Sequence, residues 1–214
     1  MGSMLGNMKK LISFVLALLR LPPRQLLQWG AIRLRTALGL PARLDSPDRH
    51  VLEQQILPYY ASRADLGRVL FVGCDWYSKH YGELFSTSQI FVTIDLDPKQ
   101  AKYGAKRHLV ASLESLADYV GPAELDLIVC NGVFGYGLDA RTEVDLAMQA
   151  CFSCLRPGGE LMLGWNDVVA HAPFDPSLAV EAAGFERVLL PPLGRWRSVL
   201  DMPTRHTFEA YMRP

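Results

Sequence analysis

Two residue types at a fixed separation carry the most chemistry in this chain: Gly73, which breaks a short apolar run, and Asp95, which ends the next one. The first run, Val69-Leu70-Phe71-Val72, is too short for a helix and rich in strand formers. Residues Tyr77 to Phe85 are predicted to form a helix, and Ile90 to Ile94 a second strand. Strand, glycine turn, helix, strand, acid is the sequence form of a nucleotide-binding βαβ unit, with the acid about 20 residues beyond the turn. In such a unit a helix N-terminus offers free N–H groups, and the carboxylate accepts from two ribose hydroxyls.

The elements that must position these residues can be read along the rest of the chain. Asp45 to Asp65 contains a turn and one helix, His50 to Tyr59, entered through Ser46-Pro47. Beyond Asp95 the reading gives a helix from Pro98 to Tyr103, a strand from Arg107 to Val110 and a helix from Ser112 to Tyr119. Leu125 to Cys130, apolar apart from Asp126 near its start, reads as a strand buried on both faces. A helix from Ala140 to Leu155 stops at Arg156-Pro157-Gly158-Gly159, and Glu160 to Trp165 is a fifth strand. Pro176 to Ala183 is read as a helix, Phe185 to Leu190 as a sixth strand, Pro191 to Pro203 as loop, and His206 to Met212 as a last strand. This alternation predicts an α/β fold: a mostly parallel seven-stranded sheet with helices on both faces and an antiparallel strand at its edge.

Composition sets outer limits. The 214 residues are 50% hydrophobic and 21% charged, enough for a buried core and unlike a disordered chain. Lys plus Arg number 22 and so do Asp plus Glu, but residues 1–44 hold seven of the bases and no acid. The remaining 15 bases face 22 acids, so bulk charge argues against nucleic acid as a partner of residues 45–214. The division expected is a basic, apolar helical arm over residues 1–44 and a nucleotide-binding domain over 45–214. Leu11 to Leu19 is too short to span a bilayer. Two basic apolar helices joined by Pro22-Pro23 suit either a membrane surface or a lid packed on the domain. Four cysteines make no disulfide framework in a chain this long. Cys151 and Cys154 share a helix face without a second pair to complete a zinc site, so no metal is expected and a cytoplasmic setting is.

Four segments in order, VLFVGCDWY, VTIDLDP, LDLIVCNGVFGYG and LRPGGELMLGW, resemble the class I S-adenosylmethionine-dependent methyltransferases over roughly residues 66–214. The glycine loop is degenerate. Gly73 matches the first glycine of the family's loop, whereas Asp75 and Tyr77 stand where the second and third belong, and Phe71 replaces the acid at the strand end. The resemblance implies S-adenosylmethionine as cofactor, with Gly73, Cys74, Asp75, Asp95, Leu96, Ser112 and Asn131 as its contacts. In this reading Asp95 takes the ribose, Ser112 the adenine edge, and Asn131 lies beside the transferable methyl group. Asp75 either takes over the contact to the cofactor's ammonium or caps the next helix; Asp97 is read as a helix cap.

On the acceptor side the candidates are Phe134, Tyr136, Trp165 and Asn166, with His171 and His206 as histidines near the crevice, and no catalytic residue is named. The loop PPLGRWR, residues 191–197, is a candidate for an anionic acceptor. The resulting expectation is a methyltransferase acting on a small-molecule or lipid-linked acceptor, at the inner face of a membrane if residues 1–44 bind one. The alternative is a non-catalytic nucleotide- or partner-binding protein on the same fold. A nicotinamide-dependent oxidoreductase fits a lone Gly73 poorly.

Overall fold

The computed structural model describes residues 43–214, together with Gly30, Leu34, Arg35 and Leu38. The predicted arm therefore lies largely outside the described residues, although Leu38 N–H donates to Leu34 O at 3.0 Å, one helical turn apart. Leu44–Pro214 forms one compact unit.

Its sheet contains β1 (Arg68–Val72), β2 (Ile90–Asp95), β3 (Arg107–Val110), β4 (Leu125–Asn131), β5 (Leu155–Asn166), β6 (Glu186–Arg187), β7 (Arg197–Val199) and β8 (His206–Met212). Seven strands follow the order β3-β2-β1-β4-β5-β8-β6. β1 to β5 pair in parallel, and β8 runs antiparallel to β5, with His206 opposite Asn166 and Phe208 opposite Gly164. The eighth strand, β7, falls within the predicted loop 191–203 and pairs with β8 beside the main path. Of the predicted sixth strand, Glu186–Arg187 pairs with β8 and Val188 N–H donates to Ala210 O at 3.1 Å, while Leu190 bridges Arg195 instead; Pro191 and Pro192 bring no N–H to extend the ladder.

Side-chain alternation along the central strands builds two cores. Leu70 and Val72 of β1 join Ile128 and Cys130 of β4 on one face, under α3 (Arg141–Cys154) and α4 (Ser177–Ala182). Val69, Phe71, Leu127 and Val129 point the other way, against a helical stretch running from Pro47 to Ala61. That stretch consists of α1 (Pro47–Val51), a π-helical turn (Leu52–Ile56) and α2 (Leu57–Ala61). Pro58 has no N–H to return to the preceding turn, and the helix widens just ahead of it.

The segment Tyr77 to Phe85 is not the predicted helix. It is a series of turns ending in a 3₁₀ turn at Tyr81–Leu84. The Ser78 hydroxyl accepts from Asp75 N–H at 2.9 Å and donates to Asp75 O at 3.0 Å, closing a local turn in place of a helical one. The helices predicted over Pro98 to Tyr103 and Ser112 to Tyr119 are likewise 3₁₀, at Pro98–Tyr103 and Leu113–Asp118. The phrase LRPGG serves the far end of the sheet: Arg156 pairs with Asp126 at the start of β4, and Asp126 Oδ2 accepts from Gly67 and Arg68 N–H. Cys151 and Cys154 lie in the core, where Cys154 Sγ donates to Val120 O.

Candidate functional site

The carboxyl ends of β1, β2, β3, β4 and β5 and the amino end of β8 open onto one cavity of about 750 Å³. All seven residues expected at a cofactor line it: Gly73, Cys74, Asp75, Asp95, Leu96, Ser112 and Asn131. Tyr136 and Asn166 line it as well. Phe134 and Trp165 do not. Each is 3% exposed or less and packs in the core beneath α3, because β5 alternation turns Trp165 away from the crevice while Phe134 is drawn inward. These two substrate assignments are corrected to core residues.

Each local arrangement has a cause in the chain. Gly73 has φ +82°, and a Cβ there would stand 2.9 Å from Val133 Cγ1, so the turn out of β1 admits only glycine without strain. Asp95 is fixed from both sides. Its Oδ2 accepts from Cys74 N–H at 2.7 Å and its Oδ1 from Asp97 N–H at 2.8 Å. Each carboxylate oxygen can accept a second bond, so the clamp leaves acceptor capacity at the cavity edge. Asp97 is a helix cap, its Oδ1 accepting from Lys99 N–H at 2.9 Å. Asp75 remains in the loop, its Oδ1 on Trp76 N–H at 2.7 Å, and caps no α-helix. Ser112 makes no cap bond either; its hydroxyl meets that of Ser115 at 3.0 Å. Phe71, in the place of an acid, packs edge-on against Tyr81 and stacks with Phe91.

At the other end His206 bridges three strands. Its Nδ1 lies 2.7 Å from Asn166 Oδ1 and its Nε2 3.2 Å from Asn131 Oδ1, and the ring is buried. Burial pushes His206 down to about 4, with Asp48 opposing and Arg49 adding to the shift, so the imidazole is neutral at neutral pH. A neutral ring has one donor and one acceptor, so one of the two amides must present its NH₂ to it. Asn131 Nδ2 has no other partner, and Asn131 is therefore the amide that turns. Gly164 makes this contact fit: any Cβ there would collide with the Asn131 amide.

Sequence reasoning missed Arg49. It is 7% exposed, lines the cavity, and holds its guanidinium 4.3 Å over the Tyr77 ring. The signal was the stripe Arg49, Leu52, Ile56, Tyr60, which puts a basic residue on the buried face of a helix. His171 stacks on Tyr136 at 4.9 Å rather than facing the crevice as a base. The candidate anion loop is also elsewhere. Arg197 pairs with Glu209 and Asp175, and Trp196 packs edge-on to Tyr211.

No family model matches the chain, and no curated protein matches its sequence. Solved structures do. The N-methyltransferase NodS from Bradyrhizobium japonicum WM9, in complex with S-adenosyl-L-homocysteine, is similar with a TM-score of 0.64 at 18% identity, over 87% of this chain and 98% of that one. A TehB-like SAM-dependent methyltransferase from Corynebacterium glutamicum gives 0.59 at 16% identity, over 86% and 95%. A SAM-dependent methyltransferase from Methanosarcina mazei gives 0.52 at 13%, over 72% and 95%. Sheet order, the antiparallel β8 and these likenesses agree: residues 44–214 have the fold of the class I S-adenosylmethionine-dependent methyltransferases.

Proposed function

We propose that the chain is an S-adenosylmethionine-dependent methyltransferase acting on a small-molecule acceptor. The observation that carries this reading is the cavity itself. Asp95, clamped by two backbone N–H groups at the end of β2, and Gly73, in a left-handed turn at the end of β1, share it with Ser112 and Asn131. This is the order in which a nucleoside and its amino-acid tail would cross β3, β2, β1 and β4. Asp95 would hold the ribose hydroxyls, Ser112 and Leu96 the adenine, and Gly73, Cys74 and Asp75 the tail.

When bound, S-adenosylmethionine supplies a methyl carbon already activated by its sulfonium sulfur. The chain's own contribution is alignment, which in favourable cases is worth roughly 7–11 kcal/mol. Asn131, oriented by neutral His206, and Asn166, whose Nδ2 lies 3.4 Å from the Tyr136 hydroxyl, form the polar wall on the acceptor side. Tyr136, stacked on His171, forms its aromatic lip. At about 750 Å³ the space is at the upper end of small-ligand sites, which favours a second small molecule beside the nucleoside. We include lipid-linked acceptors in this class, because residues 1–44 are basic and apolar and suit an anionic inner membrane face reached from the cytoplasm.

The test is transfer of labelled methyl groups from S-adenosylmethionine into fractionated small-molecule and lipid extracts. Label in a low-mass fraction above a heat-inactivated control is the expected result. Cofactor binding with no transfer into any fraction would leave a binding protein on this fold.

A further inference from the structure

We propose that the outer edge of the sheet, from the turn Pro98–Tyr103 through β3, is a docking surface for an anionic lipid bilayer. The inference goes beyond the methyltransferase reading and does not rest on it. Residues 98–113 hold Lys99, Lys102, Lys106 and Arg107 and no acid, within residues 45–214, where 22 acids face 15 bases. All four bases are exposed, and among the described residues none of them is in an ion pair. Lys102 Nζ lies 4.8 Å over the Tyr103 ring, a contact that leaves its charge unneutralised. Bases elsewhere in residues 45–214 are treated differently. Of the remaining eleven, eight are held in ion pairs. Arg213 donates to backbone carbonyls, which leaves Lys79 and Arg195 far apart in sequence. The uncompensated positive charge is therefore gathered on one edge.

Strand β3 is the outermost strand of the sheet. Charged side chains on an edge strand guard it against pairing with another chain, which accounts for Arg107. That role does not account for Lys99 and Lys102, which sit on the turn before the strand. Two large apolar side chains complete the surface. Val110 stands opposite Asp95 in the register, next to Leu96, and the two are 46% and 60% exposed. Bases beside exposed apolar side chains suit an interfacial contact with a bilayer. Each base gains from the negative leaflet, while the apolar groups enter the headgroup boundary. A nucleic acid would follow a longer path, and beyond this edge that path meets 11 bases against 22 acids. A planar bilayer needs only the edge. Leu96 and Gln100 also line the cavity, so docking here brings the cavity mouth to the headgroup layer, where an acceptor carried on a lipid would be reached.

The experiment is flotation of the full chain with vesicles of phosphatidylcholine alone and of phosphatidylcholine mixed with phosphatidylglycerol. Wild type is compared with the quadruple variant Lys99→Gln, Lys102→Gln, Lys106→Gln, Arg107→Gln and with a control, Lys79→Gln, Arg195→Gln, each confirmed as folded by circular dichroism. Residues 1–44 are common to all three proteins, so their own attraction cancels in the comparison. The quadruple variant should lose at least about 30-fold in partition to the mixed vesicles, and the control less than about threefold. Affinity for S-adenosylhomocysteine should be unaltered in both. A quadruple variant that partitions like wild type overturns the proposal, as does a wild type that floats with neither vesicle or equally with both. Equal losses in the quadruple variant and the control would assign the effect to bulk charge and overturn it as well. If the quadruple variant loses binding to single-stranded RNA while its flotation is unchanged, the edge is a nucleic-acid surface and the bilayer is ruled out. Flotation that depends on the four bases, in a wild type silent toward S-adenosylhomocysteine, would keep this surface and remove the methyltransferase reading.

Discussion

Replacing Asp95 by Asn separates the two tasks assigned to this carboxylate. One oxygen now accepts from Cys74 N–H and the other from Asp97 N–H. In Asp95→Asn one of those N–H groups meets an NH₂ instead of an acceptor, and the other keeps a weaker, uncharged bond. Leaving a part-buried donor unmet costs about 1–3 kcal/mol. For a domain of this size about 1 kcal/mol moves the melting temperature by roughly 2–4 °C, so a fall of about 3–10 °C is expected. The ribose contact adds a separate loss. Two charge-assisted bonds, each worth roughly 1.5–3 kcal/mol, predict at least a 100-fold weakening of S-adenosylhomocysteine. Asp97→Ala is the control, because Asp97 caps a 3₁₀ turn through Lys99 N–H. It should cost about 1 kcal/mol of stability and change affinity less than about threefold. Differential scanning calorimetry and titration calorimetry on the same preparations give both numbers. If Asp95→Asn lowers stability while affinity stays within threefold of wild type, the carboxylate is a loop clamp and the ribose assignment is wrong.

Two further outcomes follow from the packing. Burial lowers His206 from 6.5 to about 4, so the unfolded chain takes up a proton at this site before the folded one does. Stability is then level above about pH 6.5 and falls as pH drops from 6.5 to 4, by on the order of 3 kcal/mol from this residue; His206→Gln should flatten that part of the urea-unfolding profile, and an unaltered slope would contradict the neutral ring. Phe134→Ala should cost about 3–5 kcal/mol and leave S-adenosylhomocysteine affinity near wild type, since Phe134 lies in the core; an affinity loss without destabilisation would return it to the cavity wall.

Much of the frame was legible in the sequence because it depends on local pattern. Leu127 to Cys130 reads as an unbroken apolar run because both of its faces are covered, one by α3 and the other by the Pro47–Ala61 stretch. Gly73 and Asp95 were legible because a turn requiring positive φ and an acid at a strand end leave their mark within about 20 residues. What stayed hidden depends on distant partners. The turns at residues 76–84 replace a helix because Ser78 closes on Asp75, a competition that helical spacing does not register. Strand β7 exists only by pairing with β8, with Arg197 held by Glu209 across the register. His206 reaches Asn166 and Asn131 across 40 and 75 positions, and Arg49 covers the Tyr77 ring from a separate element, so nothing near any one of them announces the others.

Titration of the wild-type chain with S-adenosylhomocysteine tests the central claim most directly, with NAD as the comparison. A cavity bounded by Gly73, Asp95, Ser112 and Asn131 predicts saturable binding at one site per chain and no response to NAD. Heat from NAD alone, or silence toward S-adenosylhomocysteine, would contradict it.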